Sequence, residues 1–390
     1  MKRTFLTMKK TLLSIALASA SFSSLATEYH GSLSGMSGAG YSTGNYSEGV
    51  LLNPSLGAAY DPEKDDFALL IGAGVVASDK DDLIDQADDL TDLLDEIENS
   101  SSLSNAQATN LKKRLQDIDG DRAVIAVGAN AVISIPTETV SLAFIVSSRG
   151  HVSVNPNIAD SDLALIDRYL TQNLDPSDLE ADLNSYVTGR GAVVTDMGVS
   201  FSKAYKLENG NHLLVGFKPK RVEVESIVYI ENVADFDEDD LDADDYTRKE
   251  SATNFDVGLT YIVGDVRYGF VANNLQNKDY KTINPGEVIS IERQFISSVG
   301  YVKNNLKAEF AVDLNAVPAI GLAGDTQMLR AGVEYNVWDW LRLRAGFERD
   351  QKDTMADSYS FGLGVGAFNL AYISGSDDIE GVALSGGIRF

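Results

Sequence analysis

Between Leu306 and Glu348 the chain writes one alternation three times with two short breaks, and few folds can accept it. Leu306, Ala308, Phe310, Val312 and Leu314 alternate with Lys307, Glu309, Ala311, Asp313 and Asn315. Leu329, Ala331, Val333, Tyr335 and Val337 alternate with Arg330, Gly332, Glu334 and Asn336. Leu341, Leu343, Ala345 and Phe347 then alternate with Arg342, Arg344, Gly346 and Glu348. Successive side chains of a strand point to opposite faces, so each run has one apolar and one ionic face. A soluble sandwich would turn the apolar face inward to a core. A membrane barrel would turn it to lipid and keep the ions in the lumen.

The ends of the chain bear on that choice. A basic segment, Met1 to Lys10, precedes the apolar run Leu12 to Ala20 and the small-residue pattern Ser24-Leu25-Ala26. Residues 1–26 therefore read as a secretory signal peptide cut after Ala26. The apolar run is too short and too rich in serine for a membrane anchor. At the other end, Val382, Leu384, Gly386, Ile388 and Phe390 alternate with Ala383, Ser385, Gly387 and Arg389. A terminal aromatic strand resembles the end of outer-membrane barrels, where assembly machinery reads the last Phe; here Ile388 stands where a second aromatic is common.

Further runs of strand character, from Phe67–Val75 to the last residue, bring the expected count to about fourteen. Long polar connections (79 to 121, 151 to 187, 231 to 250, 275 to 288, 315 to 325) alternate with short ones at Pro136, Asn209, Gly264, Asn304, Asp339 and Ala367. Such sorting is expected of an antiparallel transmembrane β-barrel, an all-β fold with tight turns at one end and long loops at the other, and not of Greek-key sandwiches. Helical spacing inside two of the loops predicts insertions over 79–118 and 159–187. In the strand Leu213 to Tyr229 the apolar positions change parity around Pro219, which predicts a bulge or kink there.

The chain lacks cysteine, which excludes disulfides and thiolate chemistry. Its formal charge of −26 includes four basic residues of the signal peptide and argues against a nucleic-acid partner. Much of the acidity lies in two tracts, Asp79 to Glu98 and the loop 231–250, which read as solvated.

Residues 27–62, ahead of the first strand, are rich in Gly, Ser, Tyr and Asn, with Gly35-Met36-Ser37-Gly38-Ala39-Gly40 followed by Leu52-Asn53-Pro54-Ser55. A Gly-rich segment and an Asn-Pro-small motif before fourteen strands resemble the FadL superfamily of outer-membrane barrels. Within it, the helical hairpin after the first strand, the acidic loops and the length look most like the conjugal-transfer TraF group. The resemblance implies that 27–62 is a luminal hatch, with Asn53, Pro54 and Ser55 as its motif, ahead of a barrel over 63–390. Two functions follow from it: passive uptake of a hydrophobic or amphipathic small molecule, or a non-transporting envelope role in cell contact or conjugation-related assembly. The implied partners are outer-membrane lipid and the barrel-assembly machinery, through Phe390.

Catalytic patterns read as accidental. Gly40-Tyr41-Ser42-Thr43-Gly44 fits a nucleophile elbow but lacks the strand before and helix after. Gly72-Ala73-Gly74-Val75-Val76-Ala77 fits a dinucleotide pattern without its βαβ context. Asp235, Asp237 and Asp239 begin like a calcium loop, yet Asp240 takes the required Gly position. His30, His151 and His212 are scattered. No enzyme activity, cofactor or metal is expected. The better candidates are the lumen-facing ions Lys307, Glu309, Asp313, Arg330, Glu334, Arg342, Arg344, Glu348 and Arg389. They could bind wall to hatch as a paired network, or some of the arginines could meet an anionic head group.

Overall fold

The computed structural model describes residues 29–79, 82–233, 246–320 and 324–390. The expected signal peptide and the Asp235–Asp240 pattern lie outside the described residues. Fourteen strands close into a ring: β1 (Ala68–Asp79), β2 (Ala123–Ile135), β3 (Ser141–Asn157), β4 (Tyr186–Lys206), β5 (His212–Asn232), β6 (Thr247–Val263), β7 (Val266–Asn273), β8 (Gln294–Lys303), β9 (Leu306–Asp313), β10 (Met328–Trp338), β11 (Leu341–Asp350), β12 (Ser358–Val365), β13 (Phe368–Gly375) and β14 (Glu380–Arg389). Each pairs antiparallel with its neighbour in sequence, and β14 returns to β1 through Ala68↔Arg389 to Ala77↔Glu380. Closure leaves no sheet edge, so every wall strand can satisfy its backbone without water.

Outward positions carry a continuous apolar coat. Phe310, Val333, Leu343, Phe361, Leu370 and Leu384 are all exposed, whereas their inward neighbours Glu309, Arg330, Arg344 and Ser385 are buried. Near the short turns Trp338 and Trp340 stack at 5.2 Å and stay exposed, where an aromatic belt would meet the membrane interface. Phe390 lies at the same end, its amide donating to the Phe67 carbonyl at 3.0 Å.

The bulge expected near Pro219 is absent. β5 keeps one register against β6, with Leu213↔Tyr261, Pro219↔Phe255 and Ile227↔Thr247, and against β4 the pairs Gly198↔Lys220 and Phe201↔Phe217 fall on one register too. Even-numbered side chains face inward throughout, from Leu214 through Lys218 and Lys220 to Val222, Val224 and Val228. What changes is the medium outside: Phe217 faces out in the lower half, Arg221, Glu223 and Glu225 in the upper. The strand leaves the apolar layer near Pro219, so parity reverses without any inserted residue.

For the same reason β3 and β4 run past their expected ends, and Pro156↔Val187 still pairs within the loop assigned to 151–187. The stretch between the expected connections at 275–288 and Asn304 is not one strand. Val288–Ile291 pairs with Lys278–Lys281 as a hairpin inside the loop, Asn277 Oδ1 accepts the Arg293 amide, and the wall resumes at Gln294.

Above β1–β5 the loop helices α1 (Leu83–Glu98), α2 (Asn105–Asp117) and α3 (Asp160–Gln172) share one apolar core of Leu90, Leu94, Ile97, Leu111, Leu115 and Ile166. Ser104 and Gln107 form a reciprocal capping box at the start of α2. At the base of the cap, Tyr169 donates to Asp182 at 2.7 Å; burial and that carboxylate push its phenol up to about 12.

Candidate functional site: the hatch and the lumen wall

Residues 29–58 fold inside the ring as a helical turn (Gly31–Ser34) and two 3₁₀ turns (Gly49–Leu51 and Pro54–Ala58), with almost every residue buried. Part of the lumen is therefore dry. Leu33, Val50, Leu51 and Leu52 pack on the inward side chains of the wall, among them Leu70, Val132, Ile145, Val271 and Ile296. The alternation in these strands thus has an apolar inner face as well, because the hatch covers it.

Two polar seats fix the hatch backbone. Glu309 on β9 accepts from the amides of Gly40 (3.0 Å), Ser42 (3.0 Å) and Thr43 (2.8 Å), and from the hydroxyls of Ser42 (2.9 Å) and Thr43 (2.8 Å). The Ser42 hydroxyl is thereby committed to a carboxylate, in a loop without an elbow. At the second seat, Asn53 donates to the Tyr41 carbonyl (2.6 Å) and to Thr260 Oγ1 (3.1 Å), while its Oδ1 accepts from the amide and hydroxyl of Ser55 (3.0 and 2.8 Å). Pro54 starts the turn, where a missing amide costs nothing, and its carbonyl accepts from Ser200 at 3.2 Å. The wall opposite has to be glycine. A Cβ on Gly258 would lie 1.9 Å from Asn53 Oδ1, and one on Gly216 would lie 2.2 Å from the Ser55 amide nitrogen.

The wall ions predicted from the sequence sort into three groups. Arg330, buried, reaches Asp313 and Glu348 at 2.9 Å each, and its guanidinium lies 6.0 Å from the centre of the Tyr41 ring of the hatch. Arg344 and Lys307 share Glu334, at 2.6 and 3.1 Å, and Arg344 also donates to Asn369 at 3.0 Å. Arg342 and Arg389 stand apart near the short-turn end. Arg342 donates to the Gly366 carbonyl, and Arg389 meets Glu48 of the hatch at 3.4 Å.

A fourth group was not anticipated. Lys218 pairs with Asp256 at 2.7 Å, and Lys220 bridges Asp196 (2.9 Å) and Asp256 (3.1 Å), all buried. Two lysines at inward positions on either side of Pro219 were its available signal. Among the described residues no group of His, Asp and Glu could hold a metal ion.

On the long-loop side of the hatch lies a cavity of about 120 Å³, bounded by Tyr41, Leu51 and Leu52 below and by Ile291, Val317 and Ile320 of the loops above.

A family model described as F plasmid transfer operon, TraF, protein matches residues 50–313, about two thirds of the chain. The chain belongs to the TraF family. No curated protein matches this TraF chain by sequence. Among solved structures, a deltaS2S3 mutant of the TodX monoaromatic hydrocarbon channel is 12% identical with a TM-score of 0.50, covering 93% of this chain and 98% of that one. The toluene transporter TbuX of Ralstonia pickettii is 10% identical with a TM-score of 0.50 and the same coverage. A FadL homologue of Pseudomonas aeruginosa is 13% identical with a TM-score of 0.49, covering 94% and 97%. At these identities the common property is the fold: this TraF protein is a closed antiparallel barrel of fourteen strands.

Proposed function

We propose that this TraF protein is a passive outer-membrane channel for hydrophobic or amphipathic small molecules, gated by residues 29–58. The carrying observation is the cavity between the external loops and the hatch, where Leu51, Leu52, Ile291, Val317 and Ile320 share the lining with Arg149, Asn273, Asn274 and Glu292. A lining with both apolar and polar groups can seat an amphipathic small molecule. The solved structures titled as a monoaromatic hydrocarbon channel and a toluene transporter support the same reading through their fold. In this reading the ion groups around Arg330, Arg344 and Lys220 hold wall and hatch in register, and Arg342 and Arg389 face cargo leaving toward the periplasm.

A second reading, a non-transporting envelope protein of conjugal transfer, is favoured by the family's description and by the close pairing of Arg330, Arg344 and Lys220 with carboxylates. Uptake decides between them. Cells carrying the protein in a lipopolysaccharide-bearing outer membrane should accumulate 2-methylnaphthalene faster than cells without it. Equal rates would leave the second reading.

A further inference from the structure

At the short-turn end of the lumen four cations occupy inward positions on three strands: Lys307 on β9, Arg342 and Arg344 on β11, and Arg389 on β14. Arg344 is buried, but the other three keep accessible surface, with side chains 24% exposed for Lys307 and 36% for Arg389 and with Arg342 half-buried. Among the described residues two carboxylates pair with these cations. Glu334 is shared by Lys307 and Arg344. Glu48 of the hatch meets Arg389 at 3.4 Å, longer than the roughly 2.7–2.9 Å of a close charged pair. Glu48 is held more closely from within the hatch, its Oε2 accepting from Ser32 and its Oε1 from Asn45, both at 2.9 Å. Arg342 has no carboxylate partner among the described residues; its guanidinium donates to the Gly366 carbonyl.

These groups form one cluster. A Cβ on Gly364 of β12 would lie 2.8 Å from Arg342 Nε, 3.0 Å from Arg344 Nη1 and 2.8 Å from Asn369 Oδ1. Two guanidinium groups therefore stand side by side over a bare stretch of the inner wall. Glu48 feels the charges of Arg389, Lys307 and Arg344, and Arg342 those of Arg344, Glu48, Glu334 and Arg389. Within the cluster four positive charges meet two negative ones, an excess of two. Salt screens half-buried charges less than exposed ones, so the repulsion persists until a counter-anion enters.

We propose that this cluster binds a small divalent oxyanion of the phosphate or sulfate class, with Arg342 and Arg389 as its principal donors and Glu48 as its competitor. A dianion matches the excess charge, and the planar guanidinium fork suits its oxygens. The site stands whether or not the barrel carries cargo. It also couples anion and hatch. An anion that draws Arg389 away takes an ion pair from Glu48, and by reciprocity Glu48 weakens the anion's hold.

The test uses the full-length protein in phosphatidylcholine liposomes, dialysed to equilibrium against radiolabelled inorganic phosphate near pH ~8, where the dianion prevails. Empty liposomes serve as the blank, and sodium chloride keeps the ionic strength constant. Wild type should bind phosphate saturably, with unlabelled sulfate displacing it and chloride failing to. Arg342→Gln should weaken binding about tenfold, and Arg342→Lys, which keeps the charge without the fork, by less. Glu48→Gln removes the competing charge and should tighten binding about tenfold, a gain that a misfolded barrel could not produce. Absence of saturable binding, an affinity that either Gln substitution leaves unchanged, or weaker binding by Glu48→Gln overturns the assignment.

Discussion

Replacing Glu309 with alanine should free the hatch while leaving the wall closed. The carboxylate accepts from three backbone amides and two hydroxyls of Gly40, Ser42 and Thr43. The hydroxyls can turn to other acceptors; the amides cannot. Each buried donor left unmatched costs about 1–3 kcal/mol, and water entering the emptied space returns part of that. A net loss of about 3 kcal/mol in local stability is expected, or roughly a hundredfold faster opening of the segment. Hydrogen–deuterium exchange of hatch peptides reads this directly, with β2 and β3 as internal control. Wall amides should keep their protection, because the Glu309 side chain takes no part in the β9 backbone ladder. Exchange at Gly40–Thr43 that rises less than about threefold would refute the seat, and an equal rise throughout the barrel would assign Glu309 to the wall.

Other expectations concern the second seat, hatch movement and the cap. Gly258→Val puts a Cβ where Asn53 Oδ1 now lies, 1.9 Å away; the protein should still give a heat-modifiable band but lose exchange protection at Ser55, and retained protection would contradict the seat. In this cysteine-free chain, Gly57→Cys with Ser202→Cys places Cβ atoms 3.5 Å apart, within disulfide range. Oxidation should stop probe uptake and a reductant restore it; full uptake by oxidised protein would mean that this part of the hatch does not move. In the helical cap, burial alone would raise the Asp162 carboxyl, but hydrogen bonds from Ser185 and Asn184 outweigh it and hold the group below its ordinary value. A folded value below the unfolded one gives stability that is complete above the unfolded value and lost as pH falls through the folded one. Pepsin should therefore spare the wild-type cap until pH falls below the ordinary carboxylate range and should cut Asp162→Asn throughout the acid range in which the protease works; identical pH profiles would exclude this role.

The strands were legible because inward and outward positions alternate strictly: Phe310, Phe361 and Leu384 face out wherever a charged or small residue precedes or follows them. The register of β1 on β14 was not, since nothing local tells Ala68 to meet Arg389. Pro219 misled for a physical reason. Parity reports the contrast between two media, and β5 crosses from one medium to another along its length, so a straight strand mimics a bulged one. Within the lumen, the ionic face of β9–β11 was readable, but the partition of its charges was not: whether Arg330 meets Asp313 or Arg344 meets Glu334 depends on side-chain reach across strands. The Lys218–Lys220–Asp196–Asp256 group escaped because its members lie on three strands.

The unequal height of the wall gives the mouth a direction. β4 and β5 have 21 residues each and β12 and β13 have 8, so at about 3.4 Å per residue one flank is roughly 40 Å longer along the strand than the other. The high flank carries the helical cap, and a cavity of about 310 Å³ opens where the low flank meets β1–β3. A molecule arriving from the cap side meets a screen of acidic helices, whereas one arriving over β12–β14 meets the lower rim. For a sparingly soluble cargo of the kind proposed above, the lower rim is the shorter way in.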